Sequence, residues 1–255
     1  MSVLLAAFLA ATLTGAPAPV IDAFNTGETL DYSITWLKIT GGSARMTIAP
    51  LEGSDHQFRI TSIAKSNRGF RLFRFRDEIE THVTREEFST VTYAKKLDER
   101  GDKKQESTHV DADGNVLRIK STWTKPRRFK VQNPILDPIS VIYYMRTLDL
   151  TPGKKYELRL LADGKRYNVH AKVVRRETIH TEAGVFKTVV VEPMMEAEGV
   201  EREEKLFIWY TDDERRLPVR VRTDVKVGSI TASLKSVTSG VKSTEPPTTD
   251  VTKSK

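Results

Sequence analysis

Residues 206–222, LFIWYTDDERRLPVRVR, are the stretch that decides the fold, and their pattern predicts a β-hairpin. The first five residues are apolar, so successive side chains cover both faces of the first strand with apolar surface. The charged residues 212–216 form the connection, and Leu217-Pro218 starts the return strand, where a missing backbone donor is tolerated. Valines then alternate with arginines, which gives the second strand one solvent-exposed face.

Period-two alternation recurs along most of the chain, as in Leu30–Trp36 and Tyr167–Val173. Short turns rich in Gly, Asn and Asp separate these runs. The pattern predicts an all-β protein with roughly a dozen or more antiparallel strands. We expect these strands to form a strongly curved sheet or an open or closed β-barrel.

One segment, DPISVIYYMRTL at residues 137–148, predicts an α-helix within this β protein. Asp137 suits the N-cap and Pro138 suits the first helical position. Because the helix is apolar on nearly all sides, we expect it to be buried. Arg146 is the charged residue before its last turn, so we expect it to need an acidic partner or a route to solvent.

The chain is predicted to contain a signal peptide at 1–20, a single β-rich domain at 21–238 and a disordered tail at 239–255. Val3–Leu13 has the length of a signal-peptide core and is too short to span a bilayer; a buried N-terminal strand or helix is the alternative. The tail is rich in Ser, Thr, Pro and Lys and has no apolar face. Two halves, 21–133 and 151–238, joined by the helix, are the alternative to a single domain.

The compartment follows from the same features. Cys is absent, which removes thiol catalysis, thiolate metal sites and lipid attachment at an N-terminal Cys. No later apolar run is long enough for a transmembrane span. We therefore predict a periplasmic protein, exported by a signal peptide, that is soluble or peripherally associated with the cell envelope.

The formal net charge is +7, and positive charge is concentrated in the stretches 65–76 and 118–130. The first stretch is interpreted either as a strand with a basic solvent face or as an aromatic-basic rim that contacts an anionic interface. An anionic lipid or an envelope polymer is the predicted partner, and a secreted destination argues against nucleic acid. The candidate basic surface consists of Arg71, Arg74, Arg76, Arg127 and Arg128.

No chemical motif stands out along the chain. The five histidines do not have a standard zinc spacing, and there is no nucleophile elbow, phosphate-binding Gly loop or dinucleotide fingerprint, so we predict neither metal nor cofactor. Asp212 and Asp213 are the best candidates for an acid or base. The alternative is that they bind turn amides and pair with Arg215 or Arg216.

Four motifs occur in order along residues 24–234. They are Phe24-x-x-Gly27-Glu28-x-Leu30-x-Tyr32, Asp137-Pro138-Ile139-Ser140-x-x-Tyr143-Tyr144-x-Arg146, Ala183-Gly184-x-Phe186 and Trp209-Tyr210-Thr211-Asp212-Asp213-x-x-Arg216-x-Pro218-Val219. Together they resemble a bacterial family catalogued as domain of unknown function 3108. The resemblance implies an exported, envelope-associated β-rich protein, and it implies no enzyme class, cofactor or catalytic residue.

Three functional hypotheses follow. The first is a non-catalytic periplasmic or envelope protein that holds a lipid or other amphiphile in its barrel. The second is a hydrolase or other enzyme that acts on an envelope polymer through Asp212 or Asp213, and the third is a structural scaffold with a filled core. Arg146 is interpreted either as half of a buried ion pair or as an anion clamp. The candidate ligand-binding residues are Arg146, Tyr143, Trp36, Asp212, Asp213 and Arg216.

Overall fold

The computed structural model describes residues 18–67, 74–122, 128–197, 200–201, 205–225 and 227–240. The helices are α1 (Ala18–Thr26) and α2 (Ser140–Met145). The strands are β1 (Glu28–Trp36), β2 (Ile39–Pro50), β3 (Gln57–Ser66), β4 (Phe75–Thr84), β5 (Thr90–Glu99), β6 (Asp102–Val110), β7 (Asn115–Ser121), β8 (Arg128–Lys130), β9 (Lys155–Ala162), β10 (Lys165–Thr181), β11 (Gly184–Ala197), β12 (Val200–Glu201), β13 (Leu206–Thr211), β14 (Pro218–Asp224) and β15 (Ser229–Ser239).

These strands belong to one antiparallel sheet of 15 strands. The order across the sheet is β8-β7-β6-β5-β4-β3-β2-β1-β15-β14-β13-β11-β10-β9, and β12 pairs with β11 off this path. Strands that follow one another in the chain are mostly neighbours in the sheet, as short connections require. The prediction of an all-β, antiparallel fold with a dozen or more strands is confirmed.

The two ends of the sheet approach each other through the segment that follows β8. The amide of Leu136 donates to the carbonyl of Arg159 on β9 at 2.9 Å, and the carbonyl of Leu136 accepts from Leu161 at 2.8 Å. One residue earlier, the carbonyl of Ile135 accepts from Thr90 on β5 at 2.7 Å. This segment therefore links β5 to β9, and the sheet curls into a barrel.

We call one end of the barrel the capped end and the other the rim. At the capped end, α1 buries Val20 and Phe24 completely in the core. The Phe24 ring lies 5.9, 5.6 and 5.7 Å from the rings of Phe58, Phe88 and Tyr143. The rim carries the opposite ends of the strands, including the β1–β2 and β14–β15 connections.

The hairpin at 206–222 forms β13 and β14, and β13 is buried on both faces, as its sequence predicts. Ile208 and Tyr210 face α2, where the Tyr210 hydroxyl donates to a helix carbonyl at 3.1 Å. Trp209 points to the other face, is 6% exposed, and donates its indole N–H to Glu177 on β10. The barrel interior and the long β10–β11 hairpin thus cover β13 from opposite sides.

The helix predictions need two corrections. The predicted helix at 137–148 is shorter, because the amides of Thr147 and Leu148 bond three residues back instead of four and form turns. The sequence also predicted one helix, whereas α1 is a second one, at the boundary between the predicted signal peptide and the predicted β-rich domain. Packing of its apolar face against the core stabilises this short helix, which has little intrinsic helical stability alone.

The predicted tail differs from the structure in its bounds. The last strand, β15, follows a turn in which Val225 donates to the carbonyl of Gly228 at 3.1 Å, and it runs from Ser229 to Ser239. Gly240 donates to the Gly27 carbonyl at 2.6 Å, so the first residues of the predicted tail belong to the fold. The rest of that tail, 241–255, and most of the predicted signal peptide, 1–17, lie outside the described residues.

Candidate functional site

The helix α2 lies inside the barrel, and Asp137 fixes its position. One carboxylate oxygen accepts from the amides of Ile139 and Ser140 at 2.9 and 3.0 Å, as expected at the start of a helix. The other accepts from the hydroxyls of Thr81 on β4 and Thr90 on β5 at 2.7 and 2.8 Å. The start of α2 is therefore tied to one wall of the barrel.

The acidic partner expected for Arg146 is Glu28. The guanidinium and the carboxylate form two bonds of 2.6 and 3.1 Å, and both side chains are completely buried. The guanidinium also donates to the carbonyl of Arg215 at 3.0 and 3.2 Å. Because protein groups engage Arg146 on several sides, the geometry favours the structural interpretation over an anion clamp.

Aromatic rings enclose this ion pair. The guanidinium carbon of Arg146 lies 4.9 Å from the Phe24 ring centre and 5.6 Å from that of Tyr143. Burial, with a smaller effect of the Glu28 charge, raises the pKa of Tyr143 far above its usual range. The Tyr143 hydroxyl is buried and has no hydrogen-bond partner among the described residues.

Asp213 organises the β13–β14 turn. One carboxylate oxygen accepts from the Thr211 hydroxyl at 2.6 Å and from the amides of Arg215 and Arg216 at 3.1 Å each. Arg216 in turn donates to the carbonyl of Arg146 at 3.0 Å. The predicted residues Arg146, Tyr143, Asp213 and Arg216 therefore meet at the capped end of the barrel.

A polar depression of about 300 Å³ lies beside this turn. Its acidic lining residues are Asp149, Asp212, Asp213 and Glu214, and its basic ones are Arg176 and Arg216. Asp212 pairs with Arg176 at 2.8 Å on the exposed surface. The Thr151 hydroxyl bonds to Asp149 at 2.7 Å and holds the pKa of that carboxyl below its usual value. Asp149, Asp212 and Asp213 thus already have protein partners.

Trp36 lies apart from these predicted ligand-binding residues. It ends β1 at the rim, and its indole N–H donates to the carbonyl of Val227 at 2.9 Å. Of the predicted basic surface, Arg74, Arg76 and Arg128 are exposed. Arg71 and Arg127 lie outside the described residues.

The barrel also contains an apolar pocket, which the first functional hypothesis required but whose position and lining the sequence did not predict. Its volume is about 240 Å³, and it lies between α2 and the inner faces of β9, β10, β11, β13 and β14. The main lining residues are Val141, Ile142, Met145, Leu158, Leu160, Ala162, Tyr167, Val169, Ala171, Val191, Pro193, Met195, Leu206, Ile208 and Val221. Ala162, Met195 and Leu206, near the rim, are partly exposed, so the pocket is accessible from that end.

Charged groups lie at one side of this pocket. Asp163 is part of the lining and pairs with Lys95 of β5 at 2.9 Å. Lys95 is 18% exposed, which makes it a mostly buried cation. Asp77 and Thr81 are four residues apart on β4, so they lie on the same inner wall. Burial, together with the charge of Glu99, raises the pKa of Asp77 to about 6.

The described residues form neither a metal cluster nor a membrane-spanning helix. Among the described residues, no three His, Asp or Glu side chains are grouped as a metal would require. In the same part of the chain, neither helix has the length and apolarity needed to cross a bilayer.

Sequence reasoning identified the inner faces that line the pocket but not the pocket itself. Leu158 and Leu160 are two residues apart, as are Tyr167, Val169 and Ala171, and this period-two spacing assigns them to one face of the sheet. Whether opposing inner faces fill the space between them depends on the curvature of the sheet and the depth of α2. Neither quantity is encoded in a local pattern.

Similar proteins are known mainly from uncharacterised families. No curated protein matches the chain. A beta-barrel-like protein of the domain of unknown function DUF1849 from Brucella abortus has a TM-score of 0.59 at 9% identity, covering 84% of this chain and 97% of its own. At that identity the similarity concerns the fold.

A DUF1089 family protein from Pseudomonas aeruginosa has a TM-score of 0.38 at 13% identity, covering 72% of this chain and 90% of its own. A protein with a YmcC-like fold from Bacteroides fragilis has a TM-score of 0.33 at 11% identity, covering 84% of this chain and 96% of its own. A family model described as "Protein of unknown function (DUF3108)" matches residues 31–235, and the chain belongs to this family.

Proposed function

We propose that this chain is an exported, non-catalytic protein of the cell envelope that binds the apolar part of a lipid or other amphiphile inside its barrel. The observation that carries the proposal is the apolar pocket between α2 and strands β9–β14. Its volume of about 240 Å³ lies just below the usual range of small-molecule sites, about 300–1,000 Å³. Such a pocket suits one hydrocarbon chain or ring system.

The position of charge supports an amphiphile over a purely apolar ligand. Asp163 is the charged residue among the lining residues, and Lys95 lies against it. A ligand whose chain enters between α2 and β10 would place its polar group beside this pair. An anionic group would gain from Lys95, and a hydroxyl could bond to either partner.

Export is the second part of the proposal. The sequence predicts a signal peptide at 1–20, but Val20 is fully buried in α1. A mature chain that keeps α1 whole would begin between about Gly15 and Ala18. Mass spectrometry of protein isolated from the periplasm tests this, and intact Met1 on that protein would contradict it.

Ligand binding can be tested with a fluorescent fatty-acid probe and a pocket-filling variant. Ala162→Phe places a ring at the accessible side of the pocket and is expected to weaken probe binding at least about tenfold, since that loss corresponds to about 1.4 kcal/mol of contact energy. Ala94→Phe is the matched control, because Ala94 is exposed on the outer face of β5. It should bind the probe as the wild type does.

The comparison separates three outcomes. Loss of binding in Ala162→Phe alone, with both variants folded by circular dichroism, supports the pocket as the site. Equal binding in all three proteins means that the probe binds elsewhere and overturns the proposal. Absence of binding in the wild type, tested also with a single-chain phospholipid, favours a scaffold with a closed core.

A further inference from the structure

Exposed apolar side chains are concentrated at the rim of the barrel. Eight large apolar residues are exposed in the described part of the chain, and five of them belong to the tips of two hairpins. These five are Leu37, Ile39, Val225, Val227 and Ile230. We call them, together with Trp36, the rim patch.

The two tips form one surface. Trp36 pairs with Ile39 across the β1–β2 hairpin and with Ile230 across β1–β15. Its indole N–H donates to the carbonyl of Val227 at 2.9 Å, which ties the two tips together. This bond and the strand pairing therefore hold the two tips side by side.

The backbone at the β1–β2 tip is an unusual place for an apolar residue. Leu37 and Lys38 both have positive φ, 49° and 66°, in a connection where Asn and Gly are favoured. Leu37 is also 50% exposed. Leu37 packs partly over Gly228 of the other tip, and contact with an external apolar phase would cover the part that stays exposed.

The rim patch continues the inner wall of the barrel. Ile34 pairs with Ala232, and Ala232 pairs with Val221, which lines the apolar pocket. Paired residues share a face of the sheet, so these three residues form one row that starts at the pocket. Trp36 and Ile230 form the next row on the same face, toward the rim. An apolar molecule leaving the pocket on this side would meet the rim patch.

Cations flank the rim patch. Lys38 lies between Leu37 and Ile39, and Lys65 lies on β3, next to β2. Arg74 precedes β4 and Lys205 precedes β13; all four are exposed. They form no ion pair with other described residues. Asp224, the acid beside the second tip, is paired with Arg222 at 3.0 Å. Lys205 directly follows the acidic stretch 196–204, so the side of the rim patch that is complementary to an anionic surface is the one with Lys38, Lys65 and Arg74.

We propose that the rim patch docks on an anionic lipid bilayer, with the hairpin tips in the interfacial layer and the flanking cations against headgroups. Trp, Leu, Ile and Val beside Lys and Arg are the residues that bind such interfaces. At the tips, the Trp36 indole N–H and the Val225 amide already have acceptors within the chain, which lowers the cost of placing them in an apolar phase. Docking would orient the pocket toward the lipid, and it does not depend on whether the pocket holds a ligand.

The test is flotation of the purified chain with vesicles of phosphatidylcholine, with and without phosphatidylglycerol. Val227→Asp is expected to weaken binding to the anionic vesicles at least about tenfold, because a carboxylate resists both the acyl phase and the anionic headgroups. Val185→Asp is the matched control, because Val185 and Val227 are each 62% exposed and Val185 lies at the capped end. It should bind as the wild type does.

A second readout places the rim in the bilayer directly. Brominated acyl chains should quench tryptophan emission of the wild type, and Trp36→Phe should lose most of that quenching while still floating with the vesicles. Equal loss of flotation in Val227→Asp and Val185→Asp would mean that the added negative charge weakens binding wherever it lies, and it would overturn the proposal. Absence of flotation in the wild type would overturn it too, in favour of a protein partner for the rim patch. The fatty-acid probe should still bind to Val227→Asp, which keeps this test independent of the pocket.

Discussion

Among single side chains, Arg146 shows most clearly what the sequence could and could not predict. A charged residue in an apolar helix required a partner or a route to solvent, and the partner is Glu28, 118 residues away. The pattern of neighbouring residues carries no information about a contact between residues so far apart in the chain. Motifs that resemble the family supplied both residues, yet their contact emerges from the way β1 passes beneath α2.

The buried ion pair leads to a stability prediction. Arg146→Met should cost about 3–5 kcal/mol, because it leaves the carboxylate of Glu28 buried without its partner. Removing both charges in Arg146→Met with Glu28→Gln should recover part of this loss. Urea unfolding of the three proteins measures the effect. A single-variant cost below about 1 kcal/mol would mean that water reaches the pair, contrary to its observed burial.

Asp213 separates the binding and enzymatic hypotheses. Its carboxylate accepts hydrogen bonds from turn amides and from Thr211. Asp213→Asn should lower stability by about 1–2 kcal/mol, because a neutral amide oxygen is a weaker hydrogen-bond acceptor than a carboxylate, and it should leave function intact. Thermal melting and complementation of an envelope-stress phenotype, measured side by side, check this. A fully folded variant without function would support an acid–base role and contradict the non-catalytic proposal.

Asp77 predicts an unusual pH dependence. Its folded-state pKa is raised to about 6 from a usual 3.8, so the folded state holds its proton to higher pH than the unfolded state does. This contribution to stability is present below about pH 4 and is lost as the pH rises through about 6.

The melting temperature of Asp77→Asn minus that of the wild type should therefore increase between pH 4 and pH 7. Asp111→Asn is the control, because hydrogen bonds from Asn115 lower the pKa of Asp111 below its usual 3.8. The wild type should gain stability over this variant only as the pH rises toward about 4, and the difference should change little between pH 4 and pH 7. A flat difference for Asp77→Asn would mean that its carboxyl is solvated.

Among the secondary-structure elements, β13 was predicted well and α1 was missed. The apolar run at 206–210 required cover on both faces, and α2 and the β10–β11 hairpin provide it. The helix α1 has 9 residues, which is too few for a clear helical period in the sequence, and a helix of this length has little intrinsic stability. The core stabilises it through Val20 and Phe24, which only the assembled barrel brings near β2 and β3.

The contribution of α1 can be measured directly. Phe24→Ala should cost about 3–5 kcal/mol, because Phe24 is fully buried among aromatic rings and its removal leaves a cavity. Asp22→Ala, an exposed change on the same helix, should stay within about 0.5 kcal/mol. Chemical denaturation compares them, and similar small effects would mean that α1 does not seal the barrel.

For the molecule as a whole, alternation and short turns were enough to predict an antiparallel, curved β protein. They could not predict that the segment after β8 would link β5 to β9, because that contact joins residues far apart in the chain. The position and lining of the apolar pocket were beyond prediction for a related reason. Its volume is the space that remains between inward side chains once curvature and helix depth are set.

Native mass spectrometry of the protein purified from its own envelope tests the central proposal most directly. We expect one co-purifying amphiphile per chain in the wild type and in Ala94→Phe, and no amphiphile in Ala162→Phe. A wild-type chain that carries no ligand, or an amphiphile that remains in Ala162→Phe at wild-type occupancy, would contradict the assignment of the pocket as a lipid-binding site.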